Sequence, residues 1–242
     1  MTRLLPLFGL CALLSLPAQA VEPPPAVEAY LAELAKIESA TSPVSLEPLL
    51  LSADAVQEAL MQIPGGPGSD SVIETYSDAE FSALQQRLRG LHLQRGLEIF
   101  VQPQPEFLFQ LAQTHGRDAD VAFFRLYRAY WGKTLFPIYM QPRALVVGCV
   151  KYGDGLLTEL YEDWARQARL YPQDYRPQVQ QMLRDLEEVF SLGTCACGDR
   201  EGVIRELRGF IKRYPANPAA PAASQRWREL KAGSEKLPLS CG

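Results

Sequence analysis

The sequence lacks the short motifs that carry most enzyme chemistry. It has no Gly-x-Ser-x-Gly nucleophile turn, no glycine-rich phosphate loop and no His-Glu-x-x-His helix. Only two histidines are present, His92 and His115, and the sequence offers neither of them a serine or cysteine partner for nucleophilic catalysis. These absences favour a binding protein over an enzyme, and they predict that the protein uses no cofactor.

Excess positive charge is also missing. The 242 residues include 24 Lys+Arg against 28 Asp+Glu, for a net charge of -4, which argues against a nucleic-acid partner. The apolar run from Leu4 to Leu16 falls short of the ~20 residues that a membrane-spanning helix needs. Arg3, this run and the small residues Ala18 and Ala20 follow the order of a secretory signal peptide. We therefore expect a signal peptide at residues 1–20, a periplasmic or secreted mature protein, and no stable membrane insertion.

Cysteine is sparse, with five in the chain. Cys11 falls in the predicted signal peptide, which leaves Cys149, Cys195, Cys197 and Cys241 in a compartment that favours disulfides. Because a bond from Cys195 to Cys197 would close too small a ring, we predict two disulfides that join these two cysteines separately to Cys149 and Cys241. A zinc site is disfavoured because the spacing does not match that of zinc ligands, and no metal is predicted.

Apolar periodicity predicts a mainly α-helical protein. Apolar residues recur at three- and four-residue steps from Val27 to Ile37, and a second helical segment spans 46–63. We interpret residues 21–63 as an N-terminal helical hairpin. The Gly- and Pro-rich residues 64–70 are typical of a linker, and 71–242 form the main helical domain.

The rest of the chain predicts helical hairpins or a bundle with at most a small β pairing. Short apolar segments at 97–101 and 144–150 are the two predicted strands, which are candidates to pair with each other. In the last third, two predicted helical hairpins align at an offset of 43 residues, with Tyr171-Pro172 matching Tyr214-Pro215. The alignment resembles tetratricopeptide-like repeats only in this general way, and chance similarity between amphipathic helices is the alternative.

Two fragments near the N-terminus resemble a known family. Glu38-Ser39 and the later Ala59-Leu60-Met61-Gln62 resemble the Glu-Ser and Gly-Leu-Met-Gln elements of lytic transglycosylases, exported helical enzymes that cleave peptidoglycan. The resemblance implies that Glu38 is a general acid, which requires an apolar cleft to keep it protonated. The interval between the elements is longer than in the family, and Ala59 replaces the glycine. Cell-wall hydrolysis is therefore the alternative function.

Two side-chain stripes are candidate binding surfaces. Arg205, Arg208 and Lys212 follow one helical face and are candidates to bind an acidic partner or phosphate groups, whereas the usual interpretation of such a stripe is a solvated face. The aromatic segment from Phe123 to Trp131 is interpreted as core, because helical spacing of this kind accompanies burial. We expect an exported, non-enzymatic binding protein, such as an inhibitor, a toxin-immunity protein or an envelope assembly factor, whose partner is another envelope or secreted protein.

Overall fold

The first helices follow the apolar periodicity of the sequence. The computed structural model describes residues 22–66, 68–96, 98–131, 136–144, 147–193 and 195–233, so the predicted signal peptide and Cys241 lie outside it. Helix α1 (Pro25–Glu38) buries Val27, Tyr30, Leu34 and Ile37 against α2 (Glu47–Met61). Each helix carries proline in its first turn, where the missing N–H costs no helical hydrogen bond.

The middle of the chain continues with three helices. A short 3₁₀ turn (Val72–Thr75) precedes α3 (Asp78–Arg87), which begins at a capping box. There Glu80 N donates to Ser77 Oγ, while Ser77 N donates back to Glu80 Oε2 at 2.8 Å. Helices α4 (Pro105–His115) and α5 (Asp118–Trp131) follow and pack against each other. The α-helices therefore dominate the described residues, as predicted.

The strands differ from the prediction. Instead of pairing with each other, the two predicted regions belong to two separate antiparallel hairpins, β1 (Leu91–Gln94) with β2 (Phe100–Pro103) and β3 (Met140–Ala144) with β4 (Val147–Val150). The partners β1 and β3 contain polar residues and proline, which a search for short apolar runs passes over. Each strand pairs with its neighbour in sequence because the short loop between them costs little entropy to close.

The last third of the chain forms two stacked helical hairpins. Helix α6 (Leu156–Leu170) pairs with α7 (Arg176–Ser191), and α8 (Arg200–Arg213) pairs with α9 (Ala220–Ala232). The first helices of the two hairpins contact each other, as do the second helices. This side-by-side stacking of equivalent helices is how helical repeats build a continuous core.

The turns of the two hairpins have nearly the same backbone geometry. Tyr171 ends α6 with φ -133° and ψ 66°, and Tyr214 ends α8 with φ -128° and ψ 58°. Before the turns, equivalent residues of the two hairpins are 43 positions apart in sequence. After the turns they are one position further apart, so Val179 corresponds to Ala223 and Leu186 to Leu230. The reason is that the second turn contains one more residue before its next helix begins. The similarity between the hairpins thus extends from the residue pattern to the backbone.

The Cys195-Ala196-Cys197 segment lies beside the last strand. Val150 N donates to Cys195 O, and Cys197 N donates to Val150 O, both at 2.8 Å. Cys149 and Cys197 form a disulfide with Cα atoms 4.9 Å apart and a sequence separation of 48. Closing a loop of this length stabilises the fold by about 4 kcal/mol in the chain-entropy model. One predicted disulfide is thereby confirmed, and the other stays a prediction because Cys241 lies outside the described residues.

A continuous hydrophobic core joins the N-terminal hairpin to the rest of the protein. It runs from Val27 in α1 to Leu230 in α9. Tyr30 illustrates the connection, because its hydroxyl donates to Arg89 O at 2.6 Å across 59 residues of sequence. Within the described ranges, no helix is both long enough and apolar enough to cross a membrane.

Candidate functional site

A cleft opens where α2, α5 and α7 meet, and the junction of β2 with α4 closes one side. We call it the central cleft; it encloses about 320 Å³. Each helix contributes residues spaced three or four apart, which places them on one helical face. The helical contributions are Leu50, Asp54 and Gln57 from α2, Tyr127 and Trp131 from α5, and Gln178, Gln181 and Met182 from α7. The cleft thus depends on contact between the N-terminal hairpin and the later helices.

Apolar and aromatic groups make up much of the cleft wall. Leu50, Tyr127 and Met182 are buried, and the Tyr127 and Trp131 rings lie 6.2 Å apart between centroids at an angle of 55°. Pro103 and Pro105 add rigid apolar surface from the β2–α4 junction. Two tilted rings beside a thioether provide a surface suited to an apolar stem or to a cation.

The predicted aromatic core therefore has two parts. Phe123, Phe124 and Tyr130 are buried within the protein, as that interpretation requires. Tyr127, which is also buried, and the half-buried Trp131, one turn apart at the C-terminal end of the same helix, line the cleft as well. The helical spacing identifies the face, but it does not show where the neighbouring elements stop covering it.

Polar groups in the cleft consist of one carboxylate and several amides. The amides belong to Gln57, Gln102, Gln178 and Gln181. Asp54 keeps access to solvent, yet partial burial raises its pKa above the ordinary aspartate value. Burial also raises the pKa of the Tyr127 hydroxyl, and the Asp54 charge adds to that effect. Asp54 is the only charged side chain among the described residues that line the cleft.

Two polar atoms of cleft residues have no hydrogen-bond partner among the described residues. They are Gln178 Oε1 and Trp131 Nε1, an acceptor and a donor, and both are shielded from solvent. A buried polar atom left unpaired costs about 1–3 kcal/mol. A ligand that reached these groups would recover part of this cost, which makes the central cleft the strongest candidate site.

Glu38 does not have the surroundings that a general acid needs. It lies at the exposed C-terminal end of α1, where Arg89 Nη2 donates to its two carboxylate oxygens at 2.6 and 2.7 Å. This exposed, ion-paired setting is not the apolar cleft that the resemblance requires around a general acid. Because Glu38 also lies outside the central cleft, we do not propose it as a catalytic residue.

The predicted basic stripe is exposed along α8. Arg208 and Lys212 form no hydrogen bond or ion pair with the described residues, whereas Arg205 Nε lies 3.5 Å from Gly153 O. The role of this basic stripe in binding stays a prediction, because exposure alone is equally consistent with a solvated face. His92 in β1 and His115 at the end of α4 also lie outside the central cleft.

Beside Arg205, a buried carboxylate holds the two C-terminal hairpins together. Glu206 is 2% exposed and reaches from α8 to the beginning of α6. Its Oε1 accepts from Thr158 N at 3.1 Å and Thr158 Oγ1 at 2.9 Å, and its Oε2 accepts from Gly153 N at 3.0 Å and Gly155 N at 2.9 Å. Gly155 stands at the N-cap of α6 and has no side chain to cap the helix. The Glu206 carboxylate, which comes from α8, provides the missing cap.

Replacing Glu206 with alanine is expected to destabilise the fold by about 2–4 kcal/mol, because the N–H groups of Gly153, Gly155 and Thr158 and the Thr158 hydroxyl lose their acceptor. Urea unfolding followed by circular dichroism measures the change. Glu201→Ala is the matched control, since this glutamate is exposed in the first turn of the same helix. Equal stability of the two variants would contradict the assigned capping role.

Comparison with known proteins gives no relative for this chain. No protein-family model, curated protein or solved structure matches it. Among the described residues, no group of three or more His, Cys, Asp or Glu side chains is arranged to hold a metal ion. The candidate site is therefore defined by the geometry and chemistry of the central cleft alone.

Proposed function

We propose that this protein is an exported binding protein that engages another envelope or secreted protein through the central cleft. The observation that carries the proposal is a cleft with aromatic walls, several amides and one carboxylate at the junction of four segments. Pockets of this kind, mostly apolar with a few placed polar groups, are the usual form of ligand sites. An inhibitor, a toxin-immunity protein and an envelope assembly factor all act by such binding.

The stacked hairpins and the disulfide support the proposal. The Cys149–Cys197 bond ties the β3–β4 hairpin to the segment that precedes α8, and Glu206 fixes α8 to α6. Helix α7, which lines the cleft, packs against α6, and a site held on connected, packed elements loses little conformational entropy when it binds. The signal-like residues 1–20 and the even number of later cysteines favour an oxidising compartment outside the cytosol.

Affinity capture from the native envelope tests this function. Residues 21–242 serve as bait, alongside two variants of neighbouring exposed residues on α2. Gln57→Trp places a large side chain at the cleft, while Glu58→Trp places the same side chain outside it. We expect one envelope or secreted protein to be recovered with the unmodified chain and with Glu58→Trp, and at least about tenfold less with Gln57→Trp, a loss of roughly 1.4 kcal/mol.

Two outcomes would contradict the proposed function. One is recovery of no protein above the background of an empty matrix. The other is equal recovery of the same protein by Gln57→Trp and Glu58→Trp, because binding would then not involve the cleft. Circular dichroism of both variants at the capture temperature establishes that each is folded.

A further inference from the structure

The charge distribution of the central cleft limits what it can bind. Asp54 contributes a negative charge, and no lysine, arginine or histidine is among the described residues that line the cleft. Asp54 forms no hydrogen bond or ion pair within the described part of the chain. Arg184 Nη2 donates to Oε1 of the cleft residue Gln181, and the same amide donates to Asp185 Oδ1. The Arg184 guanidinium thus bonds the Gln181 amide, and Asp54 has no basic partner among the described residues.

The aromatic walls favour the same sign of charge in a ligand. The faces of Tyr127 and Trp131 carry negative electrostatic potential, and they flank the side of the cleft that α5 forms. A cation over such faces gains about 0.5–2 kcal/mol, with the larger values in partly desolvated sites. A carboxylate or phosphate placed there would instead face repulsion from both the rings and Asp54.

The unpartnered polar atoms indicate which groups must accompany the cation. Gln178 Oε1 is an acceptor, and ammonium and guanidinium groups are donors only. The terminal torsion of glutamine is soft, so the Gln178 amide can rotate when a donor enters the cleft. Trp131 Nε1 is a donor and needs an acceptor, such as a peptide carbonyl. A lysine or arginine within a peptide supplies both kinds of group, joined by an apolar stem that suits Leu50 and Met182.

We propose that the central cleft binds a lysine or arginine side chain presented by the partner protein, an inference that rests on the proposed function and specifies its chemistry. Asp54 pairs with the cationic head, Tyr127 and Trp131 flank it, and Gln178 accepts one of its hydrogen bonds. The volume of about 320 Å³ is at the lower end of the range for ligand pockets and suits a single side chain. Asp54 is solvent-exposed, so a cationic side chain that enters the cleft can reach its carboxylate.

Titration calorimetry with single-residue probes tests the inference. The probes are Nα-acetyl-lysine amide, Nα-acetyl-arginine amide and the uncharged Nα-acetyl-norleucine amide, with N-acetylglucosamine as a neutral sugar. We expect both cationic probes to bind at least about tenfold more tightly than the norleucine probe. Asp54→Asn should remove that difference, whereas Glu58→Gln, which changes an exposed carboxylate one turn further along α2, should preserve it.

The possible outcomes separate this inference from the proposed function. Equal affinity for the lysine and norleucine probes, or undiminished cation binding by Asp54→Asn, would overturn the cation site. Binding of N-acetylglucosamine with no binding of the cationic probes would overturn it in favour of a neutral sugar. If the cationic probes do not bind but envelope capture still depends on Gln57, the proposed function stands and only the cation site fails. If the cationic probes bind but no envelope protein is captured, the cation site stands and the proposed function fails.

Discussion

Asp120→Ala is expected to destabilise the protein by about 2–4 kcal/mol, because it leaves the buried Leu46 N–H and the buried Tyr175 hydroxyl without an acceptor. Asp120 is fully buried, and its Oδ2 accepts from Arg117 N at 2.9 Å and from Arg117 Nε at 3.0 Å. Its Oδ1 accepts from Leu46 N at 2.8 Å and from the Tyr175 hydroxyl. One carboxylate thus connects the residue before α2, the beginning of α5 and the residue before α7.

The network continues beyond the carboxylate through Arg117. Its Nη2 donates to Ser45 Oγ at 2.9 Å and to Asp174 Oδ1 at 2.7 Å. Loss of Asp120 therefore leaves the Tyr175 hydroxyl and the Leu46 N–H without an acceptor and frees the guanidinium from its buried contact. Since the same three elements form the walls of the central cleft, we expect the variant to lose partner capture as well as stability.

Urea unfolding measures the effect of Asp120, with two comparison variants. Asp120→Asn keeps the shape and one acceptor oxygen but loses the charge, so its cost should be smaller, about 1.5–3 kcal/mol. Asp118→Ala removes an exposed carboxylate from the first turn of the same helix and should cost less than about 1 kcal/mol. If Asp120→Ala were no more destabilising than Asp118→Ala, the buried network would not be what joins these elements.

Helices were predictable here because their signal is local. The apolar steps in α1 are visible within fourteen residues, and those residues are buried in the structure. The strands were harder, because β1 and β3 are four or five residues long and contain few of the apolar residues that mark a strand. The partner of each strand is the neighbouring strand in sequence. The composition of a single segment does not specify that partner.

Buried charges have a recognisable position in the sequence, because they fall in phase with the apolar residues of their helix. Asp120 precedes Phe123, Phe124 and Tyr127 at steps of three, four and seven, so it occupies a position on the apolar face of α5. Glu206 holds the same kind of position in α8, between the buried residues Val203 and Phe210. A charged residue in phase with the apolar stripe must be paired when the helix packs. The sequence alone does not identify the partners, which come from distant loops.

Sequence patterns did not predict the central cleft, because its residues come from separate elements of the chain. Asp54, Trp131 and Gln178 are each ordinary polar or aromatic residues near the border of an apolar helical face. What distinguishes them is their meeting in space, which depends on how α2, α5 and α7 pack. The predicted basic stripe could be seen in the sequence because all three of its residues belong to one helix.

Raising the pH from 8 to 11 is expected to remove about 5–6 kcal/mol of stability through four buried tyrosines alone, because their hydroxyls must stay protonated in the fold. Burial raises the pKa of Tyr30, Tyr127, Tyr130 and Tyr175 far above the ordinary value. In the unfolded chain their pKa is about 10. Below pH 10 both states are protonated and the stability is fully present, whereas above it the unfolded state loses protons that the folded state retains. By pH 11 each of the four hydroxyls has cost about 1.4 kcal/mol, so the total rivals a typical net stability of about 5–15 kcal/mol.

Tyr127→Phe tests this linkage with little disturbance of packing. The Tyr127 hydroxyl forms no hydrogen bond with the described residues, so the variant should match the unmodified protein in urea unfolding at pH 7. At pH 11 it should be more stable by about 1.4 kcal/mol, because one of the four linked protons is gone. Tyrosinate absorbance and helical circular dichroism, recorded together, should change in one shared transition. If these tyrosines ionised near pH 10 while the helical signal persisted, their hydroxyls would be open to solvent, and the packing of α5 against α6 and α7 would have to be looser than the structure shows.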